Sequence, residues 1–203
     1  MPYPHFYTQV PSIKLYDPLS DFLGAFKEGQ LSISYLECVK LSGHSCPTVA
    51  GAYLMTKIAL KELYPDTLPQ RGNIKIEFKK SKNIEVTGVT ANVIAFIVGA
   101  SDEGGFKGIA GYFSRTNLLF FNSPIEDEVK FTRTDTQQSL TISYNPSVIP
   151  PDTLLQPLMK KIIQNIATKK EKKMFQTLWQ KRVEEILLDT QKHSKVFTIT
   201  LLN

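Results

Sequence analysis

Two hydrophobic periods divide the chain into helical and extended stretches. From Cys46 to about Leu63, the positions Val49, Ala52, Tyr53, Thr56, Ala59, Leu60 and Leu63 recur at helical spacing. Leu54 and Ile58 fall on the other side, which predicts a helix buried on more than one face, and Pro65 and Pro69 forbid its continuation. A second helical pattern runs through Phe175, Leu178, Trp179, Val183, Ile186 and Leu187, with many lysines and arginines on the opposite face. In "NIKIEFKK", Ile74, Ile76 and Phe78 occupy every second position, the period of a half-buried strand. "LSISY", "YFSRTNLLFF", "EVKFTRTD", "QSLTISYN" and the closing "VFTITLL" also read as strands. "NIEVTGVTANVIAFIVGA" reads as a short strand running into an apolar helix, "ASDEGGFKG" as a Gly-rich loop, and "LECVKL" as either strand or helical turn. "DPLSDFLGAF" predicts a short helix with Asp17 as N-cap and Pro18 at its first position.

These elements lack the regular alternation of a doubly wound sheet. The expected fold class is therefore α+β, an antiparallel or mixed sheet packed by helices. The expected division is a core over residues 1–147 and an amphipathic helical extension over 148–203 that ends in a strand and packs on the core.

Composition narrows the class. With 42% apolar and 21% charged residues, the chain is of ordinary globular type. Its longest nearly apolar run, "NVIAFIVGA", is half the roughly 18 residues that a membrane helix needs, so no membrane partner is expected. The N-terminus lacks the basic-then-apolar pattern of a secretory signal, which places the protein in the cytoplasm. Two cysteines, Cys38 and Cys46, are too few for a disulfide framework, and Cys38 reads as core. Residues 158–195 carry ten lysines or arginines against four acids, so they supply the whole positive excess of a chain whose net charge is +5. No nucleic-acid-binding motif accompanies these cations, so they read as a solvated helix face rather than a nucleic-acid surface.

Candidate chemistry concentrates in "SGHSCPTVAG", residues 42–51. Pro47 at the first turn of a helix makes Cys46 its N-cap and puts His44 in the extended segment before it. The helix N-terminus favours thiolate, and residues two apart in an extended segment point to the same side, so His44 and Cys46 can reach one ion. Gly43 and Gly51 leave the surrounding backbone uncluttered. One imidazole and one thiolate suit zinc, but two donors are half a shell. Further candidate ligands are His5, Asp102 and Glu103, a residue from a second copy of the chain, or water. The same pair also admits a cysteine nucleophile served by His44, although no third member of such a set is defined.

"LSGHSCPTVAGAYLMTKIAL" followed by "NVIAFIVGASDEGGFKGIAGYFSRTNLLFF" resembles the FmdE family, named after a component of formylmethanofuran dehydrogenase, whose mark is a Gly-His-x-Cys-Pro segment opening a long helix. The likeness spans roughly residues 15–145. It implies an α+β core and a transition-metal ion, zinc or another divalent metal, at His44 and Cys46. Arg115 and Asn117 match a basic residue and an Asn in a later family turn, and they are the candidates for holding a small anionic ligand. The further cysteines and the C-terminal zinc ribbon of some relatives are missing here, so a role with methanofuran or a molybdenum enzyme does not follow.

The resulting expectation is a metal-binding protein, either a metal-dependent enzyme or a small-ligand-binding module. If it is an enzyme, the metal would polarise an oxygen of an anionic substrate or activate water, with Arg115 on the anion. The alternative is a structural or assembly partner whose C-terminal helices form a homodimer or dock on another protein.

Overall fold

The computed structural model describes residues 2–202. After a 3-10 turn over His5–Gln9, strand β1 (Ile13–Tyr16) leads to helix α1 (Pro18–Phe22). Asp17 caps α1 by accepting from the amides of Leu19 and Ser20, as its place before Pro18 predicts. Strand β2 (Gln30–Ile33) returns antiparallel to β1 as a two-stranded sheet. "LECVKL" is helical, part of α2 (Tyr35–Ser42). Ser34 and Glu37 form a reciprocal capping box at its start, and Gly43 closes it in the left-handed conformation. Helix α3 (Pro47–Leu63) follows and is buried on several faces, its eleven buried positions including both Tyr53 and Leu54.

The main sheet contains β3 (Ile74–Phe78), β4 (Leu119–Phe120), β5 (Val129–Arg133), β6 (Ser139–Tyr144) and β7 (Phe197–Leu202) in the order β4-β3-β5-β6-β7. The β3–β4 pair is parallel and the others are antiparallel, so the sheet is mixed and the fold is α+β. Helix α4 (Thr87–Val98) lies beside α3 and β3 and ends at Gly99, again left-handed. After β6 come α5 (Leu155–Ile163), α6 (Lys169–Leu188) and α7 (His193–Val196). Helix α6 packs on α3, and β7 pairs with β6 through six residues, so residues after 148 contribute Val183, Ile186, Leu187 and Phe197 to the same hydrophobic core as α3. No helix among the described residues is long and apolar enough to cross a membrane.

Two expected extended stretches are corrected. Residues 83–86 do not form a strand: Ile84 donates its amide to Ser81, Thr87 donates to Ile84, and Glu85 has φ +50°. These turn bonds use the backbone groups a strand would need. Only Leu119–Phe120 of "YFSRTNLLFF" is a strand, because Phe113 and Asn117 are left-handed at φ +62° and +56° and fold the segment back on the Gly-rich loop.

Candidate functional site

The turn between α2 and α3 carries His44, Ser45 and Cys46. Cys46 is the N-cap of α3: its Sγ accepts from the amide of Val49 at 3.5 Å, and its side chain is turned inward at 8% exposure. His44 is exposed, and its Nδ1 lies 2.8 Å from the carbonyl oxygen of Ser42. A carbonyl only accepts, so this bond requires the proton on Nδ1 and leaves Nε2 with a free lone pair in the neutral ring.

Three elements hold this turn. Trp179 Nε1 and Gln180 Nε2, both from α6, donate to the Ser45 carbonyl at 2.9 and 3.3 Å. The Ser45 hydroxyl pairs with the buried Tyr35 hydroxyl of α2 at 2.9 Å. From β6, the Tyr144 hydroxyl donates to the Pro47 carbonyl at 2.9 Å, and its ring lies where a Cβ on Gly51 would go. Gly51 is thus a packing requirement rather than open space, while Gly43 has nothing near it and serves the left-handed helix end. Of these partners only Tyr35 lies near the motif in sequence.

His44 lines a cavity of about 580 Å³ with α4, the loop over residues 99–106 and three cations, Lys82, Arg71 and Arg115. Behind its wall sits a buried charge cluster. Asp17, 2% exposed, accepts from Arg71 Nη1 at 2.9 Å and from Arg115 Nη2 at 2.6 Å. Burial raises the Asp17 carboxyl, but the Arg71 hydrogen bond, the Ser20 amide and the two guanidinium charges outweigh it and hold the group below its ordinary value. Arg71 also donates to the carbonyls of Ile97 and Phe96 at the end of α4. Arg115 is 7% exposed, and burial presses its guanidinium downward against the pull of Asp17. Its Nη1 has no hydrogen-bond partner among the described residues and fills the space over Gly72 and Gly99. Two guanidinium groups against one carboxylate leave the wall with a positive excess.

The other predicted residues are scattered. Asp102 lines the same cavity as His44, with Oδ1 accepting from the Gly104 amide at 2.9 Å. Glu103 and Asn117 are exposed, and Asn117 meets Asp102 through its backbone amide. His5 is exposed, with Nδ1 3.3 Å from Gln9 Nε2. Cys38 is wholly buried, and burial pushes its thiol up to about 12, which leaves it a core residue. Among the described residues no three His, Cys, Asp or Glu side chains gather to hold a metal ion. His44 and Cys46 have the nitrogen and sulfur donors that zinc takes, and the tethered Nδ1 is the usual outer support of a ligating histidine. By donor type they suit two positions of a shell, with the imidazole exposed and the thiol buried. No His44–Cys46 hydrogen bond exists among the described residues, so the relay that a cysteine nucleophile needs is not formed.

Fold and site together define a mixed-sheet α+β protein with a His-x-Cys-Pro turn clamped by aromatic side chains at the edge of a cationic cavity. A family model described as "FmdE, Molybdenum formylmethanofuran dehydrogenase operon" matches residues 41–197, and the chain belongs to the FmdE family. The match begins at the motif turn and continues through α5 and α6, past the residues that carry the sequence resemblance. The chain matches no curated protein.

Proposed function

We propose that this FmdE-family chain binds a small anionic ligand in the His44 cavity and holds a transition-metal ion, zinc by donor type, through His44 Nε2 and Cys46 Sγ. The observation that carries this reading is the His44 ring, whose Nδ1 is tied to Ser42 while Nε2 stays unused at the edge of a cavity walled by Lys82, Arg71 and Arg115. A zinc ion there would supply a Lewis acid. The chain's own residues would do the rest: His44 and Cys46 supply two donors, Lys82 meets the anion directly, and the excess charge of the Arg71–Asp17–Arg115 cluster favours it through space. Water or the anion completes the shell. Elemental analysis of tag-free protein tests this, with bound zinc expected in the natural chain and lost from His44→Ala and Cys46→Ala. Equal metal content in all three would sink the assignment.

Self-association is supported by a separate observation. Ile163, the last residue of α5, and Ile166, three residues beyond it, are 72% and 65% exposed. Sedimentation should give a dimer for the natural chain and a monomer for Ile163→Asp/Ile166→Asp; a monomer in both cases dismisses the reading.

A further inference from the structure

We infer that a second cavity, of about 910 Å³ between the N-terminal segment and α6, is a subsite for a planar aromatic ring. Four aromatic side chains line it. Tyr3 and Tyr7 are stacked with centroids 5.8 Å apart and planes 6° apart, and Phe175 and Trp179 are 5.6 Å apart and tilted by 35°. The polar atoms of the inner residues are already engaged: Trp179 Nε1 is bonded to the Ser45 carbonyl, and the Tyr7 hydroxyl donates to Gln180 Oε1 at 3.3 Å. These bonds hold both rings in place before any ligand arrives: Tyr7, buried and stacked on Tyr3, backs the wall, and the half-buried Trp179 offers its ring at little conformational cost. Tyr3, Phe175 and Trp179 are only half-buried, which leaves the space open to entry, and its volume falls in the range of roughly 300–1,000 Å³ typical of small-molecule sites.

His44 lines this cavity as well as the cationic one, and Lys173 adds a cation to the aromatic side. A ligand with its ring among the aromatics and its anionic group at the imidazole would occupy both, which makes aromatic acids the class to which the site is matched. The ring subsite deepens the proposed function by adding a ring to its anionic ligand, a matching that rests on that reading, whereas the ring subsite itself depends on neither the metal nor the anionic group.

Trp179 is the sole tryptophan, so its fluorescence reports on this cavity alone. The test titrates the full chain with 2-naphthoate, its saturated analogue decahydro-2-naphthoate, and the uncharged 2-naphthalenemethanol, reading calorimetric affinity and Trp179 emission. Naphthoate should quench Trp179 and bind about fivefold or more tighter than the saturated acid, the margin expected from one aromatic contact. Phe175→Leu should erase that margin while leaving the affinity for the saturated acid unchanged. Equal affinities for the two acids, or a Trp179 emission indifferent to naphthoate, overturns the inference. Equal, quenching binding of naphthoate and the alcohol upholds the ring subsite and removes the anionic ligand from the proposed function.

Discussion

Asp17→Asn tests the electrostatic foundation of the site. Asp17 is the only carboxylate bonded to Arg71 and Arg115 among the described residues. Asparagine keeps an oxygen that still caps α1, so the cap contribution of about 1 kcal/mol is largely retained. What disappears is the charge facing a guanidinium that is 7% exposed and already has one unpartnered nitrogen. Removing one member of a buried pair costs about 3–5 kcal/mol, because the remaining ion stays desolvated. Arg71 is about a quarter exposed and keeps its bonds to Phe96 and Ile97, so its share is small and the expected loss lies near the lower end. For a domain of this size each kcal/mol shifts Tm by about 2–4 °C, which gives a fall of about 6–12 °C in thermal unfolding followed by circular dichroism. Replacing Arg115 by methionine in the same background should recover part of the loss, since the two effects share one buried charge. A Tm within about 2 °C of the natural protein, or strictly additive effects, would refute the reasoning. The pH dependence has a definite sign. The folded Asp17 carboxyl lies below its unfolded value of about 3.9, so its stabilisation is complete above that value and is lost as pH falls through the depressed folded one.

Gly51→Ala should destabilise the protein although alanine is the better helix former: the new methyl meets the Tyr144 ring, and overpacking of about 1–3 kcal/mol outweighs a propensity gain of about 1 kcal/mol. Thermal melts of Gly51→Ala with and without Tyr144→Leu check this, and a more stable single variant contradicts it. Burial raises the Glu128 carboxyl, against the opposing Tyr144 amide and Lys80. The folded state therefore binds its proton more tightly than the unfolded one, and stability falls as pH rises from about 4.3 through the raised folded value. Glu128→Gln, which keeps an acceptor for the Tyr144 amide, should flatten that slope in urea titrations at several pH values; an unchanged slope assigns it to another group.

Local signals were legible wherever the physics is local. Asp17 before Pro18 and Cys46 before Pro47 announced two helix caps, and the every-second-residue pattern of Ile74, Ile76 and Phe78 announced β3. The ambiguity of "LECVKL" was resolvable: Ser34 and Glu37 three residues apart are the signature of a capping box, and that box makes the segment a helix. The N-terminal part of "NIEVTGV" misled because its apolar spacing suits a strand, while turn bonds at Ser81 and Ile84 take its backbone. What no periodicity could show is contact across the chain. Asp17 and Arg115 are 98 positions apart, and Trp179 and Ser45 are 134 apart, so the buried ion cluster and the clamp on the motif turn depend on tertiary packing. Arg115, the candidate for holding an anion, lines the cavity while giving its one hydrogen-bonded nitrogen to Asp17, a pairing no local pattern announces. The lone tryptophan on the apolar face of α6 was the available hint that this helix anchors something specific.

Cobalt(II) titration of the apo protein, followed by absorption, reads the proposed His44–Cys46 ligation directly, because a cobalt–thiolate bond produces an intense charge-transfer band and Cys46, though buried, retains 8% exposure where Cys38 has none. The expected result is a saturable band at one equivalent that is abolished by Cys46→Ser, weakened in affinity at least tenfold by His44→Ala, and shifted when a small carboxylate is added. A natural chain that gives no thiolate band, or a band unaffected by either substitution, would contradict it.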